Sequence, residues 1–228
     1  MSKLISGINK LSDYLKFDQY RNLRIQITKI LKENKTNFDY GYNYFYQSLE
    51  KINLSGLRNT QKRIDALGLQ NLVENKSVLD IGSNIGAISL QLDQKFIRFD
   101  NVEYNTTLNK IGERISKFLN IKNINFYSQN FLEIKLEKKY ELILSLANHS
   151  TYDKGIVDTE LYFKKIHNLL NYKGILVIES HHPKYEDLKN FERTIIDNFN
   201  KNLKIIKKGK YQFNNFYDDG RKFYILQK

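Results

Sequence analysis

Residues 76–86 read Lys-Ser-Val-Leu-Asp-Ile-Gly-Ser-Asn-Ile-Gly, and they carry the first chemistry in the chain. Asp80 is followed by Gly82, Ser83, Asn84 and Gly86. Glycines at such a bend let the backbone approach a bound molecule with no Cβ in the way. A helix opening after them offers unpaired N–H groups to a carboxylate or phosphate. A dinucleotide fingerprint would space its glycines as G-x-G-x-x-G. Here the second glycine comes four positions after the first, and the Asp80 carboxylate would repel a pyrophosphate. The pattern suits a ligand with a positive centre. Glu103 follows roughly twenty positions on, where an acidic side chain at a strand end can accept hydrogen bonds from ribose hydroxyls. Asn130 and Phe131 then pair an amide with a ring, the groups that read an adenine edge and cover its face.

Acid–base candidates come later in the chain. His149, with Asp153 to orient it, and His181 follow two expected strands, and a histidine has the right ordinary pKa for a general base. Glu179, His181, His182 and Asp153 match no recognised metal-ligand spacing, so no metal is expected. Upstream, the run Tyr-Gly-Tyr-Asn-Tyr-Phe-Tyr-Gln over 40–47 suggests a lid in which Tyr44, Tyr46 or Gln47 touches ligand. Arg58 and Arg63 could grip a ligand carboxylate or an acceptor phosphate.

These residues need a frame of strands and helices. Apolar residues at 4, 5, 8, 11 and 15, then at 23, 25, 27, 30 and 31, predict helix over 2–34. A short helix is expected at 59–73, capped by Asn59 or Thr60. Strands are expected at 78–81, 96–103, 124–127, 141–146 and 174–179. Helices are expected at 85–92, 106–119, 159–171 and 186–199. The alternation implies parallel pairing with right-handed crossovers. Two closing strands at 203–213 and 222–227, around Asp218-Asp219-Gly220, would add an antiparallel edge. The expected fold is therefore α/β, Rossmann-like and doubly wound: a mostly parallel seven-stranded sheet with an antiparallel C-terminal strand. A helical extension or lid (1–58) precedes the main domain (59–228). The first 35 residues could pack on the sheet, cap an acceptor pocket or form a dimer contact.

Three segments carry a family resemblance. VLDIGSNIGAISL resembles the first motif of class I S-adenosylmethionine (SAM)-dependent methyltransferases, VEYN the acidic motif after the second strand, and QNFLE the adenine motif. The resemblance spans roughly 76–228. It implies SAM as cofactor and S-adenosylhomocysteine as product. Gly82, Ser83, Asn84 and Gly86 would surround the methionine part, with Asp80 facing its positive charge. Glu103 and Tyr104 would lie at the ribose, Asn130 and Phe131 at the adenine. Asn130 stands where many members have Asp. The stretch 42–64 is similar to the region before the first motif in a subgroup of small-molecule and glycan-modifying members. Tyr46, Gln47 and Arg58 within it join the expected cofactor set on their chemistry.

Composition narrows the remainder. The chain has 228 residues, 41% hydrophobic and 13% aromatic, enough to build a core. With no cysteine, disulfides, thiolate metal sites and a cysteine nucleophile are excluded. No apolar run approaches a membrane span, and residues 1–16 lack the features of a secretory signal, so a cytoplasmic enzyme is expected. The net charge of +12 favours anionic partners, but the lysines are scattered, the densest run being 204–210. The favoured acceptor is a hydroxyl of a small molecule or sugar. An RNA methyltransferase is the alternative, and a non-catalytic SAM-binding scaffold a third reading. No NPPY-type run follows the fourth strand, which argues against methylation of base amino groups.

Overall fold

The computed structural model describes residues 2–33, 41–148, 159–181, 187–199, 203–213 and 220–228. Strands β1 (Ser77–Ile81), β2 (Arg98–Val102), β3 (Ile124–Tyr127), β4 (Tyr140–Leu146), β5 (Leu170–Glu179), β6 (Lys204–Tyr211) and β7 (Arg221–Gln227) form one sheet in the order β3-β2-β1-β4-β5-β7-β6. The first five pair in parallel, and β7 runs antiparallel between β5 and β6. The strand order reverses beside β1, the crevice where ligands bind in open α/β sheets. The C-terminal antiparallel strand thus lies inside the sheet, and β6 with its lysines takes the edge, where charge guards against stray pairing.

Alternation along the strands builds a core on each face. Val78, Phe99, Leu142 and Leu144 face one side, against α2 (Arg21–Glu33), α3 (Thr60–Leu67), α5 (Ala87–Gln91) and α6 (Thr106–Phe118). Leu79, Ile81, Val102 and Ile143 face the other, against α7 (Thr159–Leu169) and α8 (Leu188–Phe199). Burial on both faces is what a doubly wound sheet requires.

Helix boundaries follow local chemistry. Asn59 caps α3 by accepting the Lys62 N–H at 2.7 Å, and Asn105 caps α6 through the N–H groups of Thr107 and Leu108. Gly68 ends α3 in a left-handed conformation, and α4 (Leu69–Leu72) follows. The single helical stretch expected over 2–34 is instead two helices, α1 (Ser2–Leu15) and α2. The break is made by Asp18, whose carboxylate accepts the Tyr20 N–H at 2.9 Å and pairs with Arg24 at 2.8 Å. Among the described residues no helix is long and apolar enough to cross a membrane.

Candidate active site

The glycine bend lies at the tip of β1. Gly82, Asn84 and Gly86 all have positive φ, of 68°, 58° and 68°. Asn tolerates this region better than other side chains, and Gly enters it freely. The N–H of Gly82 donates to the Val102 carbonyl at 2.8 Å, tying the bend to β2. A Cβ on Gly82 would also come within 2.7 Å of the Asn148 amide, and one on Gly86 within 2.7 Å of the Phe126 ring. The bend is therefore kept bare by its protein neighbours. Phe126 presses equally on Gly112 of α6, a residue the sequence reading passed over.

Two carboxylates meet at this bend. Glu103, one residue beyond β2, accepts the Asn84 N–H on Oε2 at 2.9 Å and the Asn105 N–H on Oε1 at 3.0 Å. Asp80 is buried, and burial pushes its carboxyl up to about 7, with Arg63 opposing and Glu103 adding to the rise. Tyr104, beside Glu103, is exposed. Asn130 accepts the Leu132 N–H on its side-chain oxygen at 2.9 Å, while its amide nitrogen makes only a 3.5 Å contact with Glu133.

Phe131 departs from expectation. Its ring is wholly buried, packed edge-on against Tyr162 at 5.3 Å with the Lys165 ammonium over its face at 5.2 Å. In this arrangement it has no surface to offer an adenine. An aromatic after a polar strand end fits a core position equally well, and nothing in the sequence separates the two.

Arg63 also departs from expectation. Instead of facing a ligand it is buried and bidentate on Glu179, with Nε–Oε2 at 3.0 Å and Nη2–Oε1 at 2.7 Å. Arg221 adds a bond to the same carboxylate at 3.0 Å, and the Tyr211 hydroxyl donates to it as well. Burial pushes the Glu179 carboxyl up, but Arg63 and Arg221 outweigh it and hold it below its ordinary value. Glu179 at the tip of β5 is thus committed to arginines.

The segment before α3 joins this cluster. Tyr46 accepts a hydrogen bond from Arg221 at 3.2 Å, and the guanidiniums of Arg58, Arg63 and Arg221 each lie about the Phe213 ring at 5.3–5.4 Å. A bridge between Gln47 and Arg58, with the Arg58 N–H donating to the Tyr46 carbonyl at 2.8 Å, holds the segment in place. Burial raises the Tyr46 phenol, yet Arg221, Arg58 and Arg63 bring it below the ordinary tyrosine value.

Asn148 is a positioning residue the sequence reading did not single out. Its amide donates to the Ile81 carbonyl, and its side-chain oxygen accepts from Ser145 at 2.9 Å and from Tyr162 at 3.0 Å. It locks the tip of β4 to the tip of β1. The chain reaches it through Ala147 at φ 59°, an uncommon conformation for alanine that suits a functional rim. His149 and Asp153 lie outside the described residues. His181 is half-buried two residues after Glu179.

A model of the methyltransferase domain matches residues 72–220. The chain belongs to the methyltransferase-domain family. No curated protein matches it. Among solved structures, this methyltransferase is similar to the N-methyltransferase NodS from Bradyrhizobium japonicum WM9 bound to S-adenosylhomocysteine. That match has a TM-score of 0.60 at 15% identity, covering 74% of this chain and 86% of that one. The magnesium protoporphyrin IX methyltransferase ChlM from Synechocystis PCC 6803 with bound SAM matches at TM-score 0.58 and 14% identity, over 100% and 97%. Trm5b from Pyrococcus abyssi matches at 0.56 and 16%, over 73% and 48%. The methyltransferase is Rossmann-like and uses SAM as its cofactor. Its own residues fit that group. The buried Ser83 hydroxyl and the buried Gln47 Oε1 have no partner among the described residues, one a donor and the other an acceptor for a zwitterionic ligand.

Proposed function

We propose that this SAM-dependent methyltransferase methylates a hydroxyl of a small molecule or sugar in the cytoplasm, with residues 1–58 acting as a lid on the domain 59–228. The observation that carries the reading is the buried Arg63–Glu179–Arg221 network, which ties α3 to the tips of β5 and β7, while Arg221 also holds Tyr46. A chain segment fastened over the strand tips leaves a rim suited to a compact acceptor.

SAM, when bound, supplies an electrophilic methyl group on a sulfonium. Asp80 faces the positive charge, and Gly82, Asn84 and Gly86 admit the methionine part. Ser83 and Arg58 meet its carboxylate, and Gln47 and Tyr46 its ammonium. Glu103 retains lone pairs for the ribose hydroxyls, with Tyr104 beside it, and the Asn130 amide donates to the adenine edge. His149 removes the acceptor proton, oriented by Asp153, with His181 on the same rim. Asn148, pinned to Ile81, supports this role because it fixes the chain immediately before His149.

Calorimetric titration with SAM and S-adenosylhomocysteine tests the cofactor set. Transfer of labelled methyl to nucleotide sugars and other hydroxyl compounds, compared with tRNA and rRNA, tests the acceptor. His149→Ala should lower transfer by about 10²–10⁴-fold and leave cofactor binding intact; unchanged transfer removes it as the base. The RNA alternative is favoured by one feature, the exposed lysines 204, 207, 208 and 210 on edge strand β6. Salt-steep RNA binding together with exclusive RNA methylation would replace the small-molecule reading.

A further inference from the structure

Helix α1 is turned outward. Its two buried residues are polar, Ser6 and Asp13. Ser6 donates to the Gly41 carbonyl at 2.6 Å, and Asn9 to the Gly56 carbonyl at 3.1 Å. Asp13 accepts from the Tyr44 hydroxyl at 2.7 Å and from the Ser55 N–H at 2.6 Å. Positions 6, 9 and 13 form one stripe, so hydrogen bonds fasten the polar side of α1 to the protein body. The opposite stripe holds Leu4, Ile8, Leu11 and Leu15, each 58–68% exposed. Among the described residues nothing covers that apolar stripe.

The spacing of that stripe suits a second helix. Steps of four, three and four residues are the a/d seam of paired helices, whose 3.5-residue period keeps a narrow stripe against a partner. The positions flanking the seam are Ile5 and Ser12 on one side, Gly7 and Tyr14 on the other, and none is charged. Two such seams can therefore meet without like-charge contact, although the chain carries +12. A helix built to lie on an anionic membrane would instead carry basic residues along a broad apolar face. The lysines of α1, Lys3 and Lys10, lie on one flank only, behind Gly7 and Tyr14.

We propose that α1 pairs antiparallel with α1 of a second copy of this chain, making a two-fold dimer through Leu4, Ile8, Leu11 and Leu15. Leu4 then meets the partner's Leu15, and Ile8 meets the partner's Leu11. Antiparallel packing sets Gly7 beside the partner's Tyr14, a gap against a ring; no atom lies within 4 Å of where a Gly7 Cβ would stand. Fourteen residues give a seam about 21 Å long. The dimer is expected to dissociate at about 1–100 μM.

Sedimentation equilibrium of the full chain tests this. The expected mass is twice 27.1 kDa at high concentration, and a monomer at several times about 100 μM overturns the proposal. Ile8→Glu and Leu11→Glu should weaken pairing at least about 100-fold. Measured well below about 1 μM, where parent and variants are all monomers, their circular dichroism and melting temperature should match the parent's, because both side chains are exposed. The chain has no cysteine, so introduced thiols report cleanly. Mixed Leu4→Cys and Leu15→Cys proteins should cross-link on oxidation while neither does alone. Equal cross-linking of each variant alone would overturn the antiparallel arrangement. Pelleting of the unmodified chain with phosphatidylglycerol vesicles, abolished by Ile8→Glu, would overturn the dimer in favour of a membrane surface.

Discussion

Glu103 holds the backbone of Asn84 through a 2.9 Å hydrogen bond, so the acidic residue of one strand tip shapes the bend at its neighbour. The same carboxylate adds to the charge repulsion that Asp80 feels on ionising. The two acids form one unit, and its protonation should govern cofactor binding.

Asp80 gives that unit its pH dependence. Its folded-state value, pushed up to about 7 by burial, lies above the ordinary 3.8. Between those limits the folded chain keeps a proton that the unfolded chain has lost. Its contribution to stability without ligand is therefore fully present below about pH 4 and is lost as pH rises through 7, roughly 4 kcal/mol at most. Asp80→Asn should abolish that decline in urea unfolding between pH 5 and 8. A cation prefers the ionised acid, so SAM affinity should increase from pH 6 to 8 with proton release. An affinity flat with pH would separate Asp80 from the cofactor.

Glu179→Gln should leave Arg63 and Arg221 buried without a counter-charge, a loss of about 3–5 kcal/mol in urea unfolding at pH 7. The Glu179 carboxyl is held below its ordinary 4.5. Its contribution is therefore in place above about pH 4.5 and lost as pH falls through the depressed value. The variant should lack that part of the acid transition. A variant as stable as the parent would mean the network contributes little.

Gly82→Ala and Gly68→Ala form a matched pair, since both positions have φ near 67°. Gly68 has open space where a Cβ would go, so its substitution should cost only the left-handed penalty of about 1–2 kcal/mol. At Gly82 the new methyl would also displace Asn148 from Ile81. Thermal unfolding should show the larger loss at Gly82, and SAM affinity should drop at least about tenfold there alone. Equal losses at both sites would show that the Asn148 contact is slack.

Ser83→Ala removes a buried hydroxyl that has no partner among the described residues. Stability without ligand should stay level or rise slightly, because an unpaired buried hydroxyl is unfavourable. SAM affinity should fall by about 1 kcal/mol, near fivefold, in a calorimetric titration. Lower stability with unchanged affinity would give Ser83 a purely structural part.

Most of the fold was readable because strands buried on both faces and capped helices leave strong local patterns, as at 78–81 and 141–146 and at Asn59. The bend at Asp80–Gly86 was readable because it ends an apolar run, and Glu103 because it closes the next expected strand roughly twenty positions on. What escaped depends on contacts between distant residues. Arg63 and Glu179 are 116 positions apart, and no spacing rule joins them. Phe131 could face ligand or core on sequence grounds, and only the packing of Tyr162 decides. The outward turn of α1 reversed the ordinary sense of an apolar stripe, because Ser6, Asn9 and Asp13 find partners at 41, 56, 44 and 55.

Strand β7 is made after both of the strands it separates. While a ribosome is still short of residue 221, β5 and β6 have no hydrogen-bonding neighbour in common, and Glu179 lacks one of its two guanidiniums. The parallel half can assemble during translation, but the sheet can close only once synthesis has passed Gln227. Until then the growing chain displays an open strand border, the kind of surface that chaperones shield and that truncated messages would leave permanently bare.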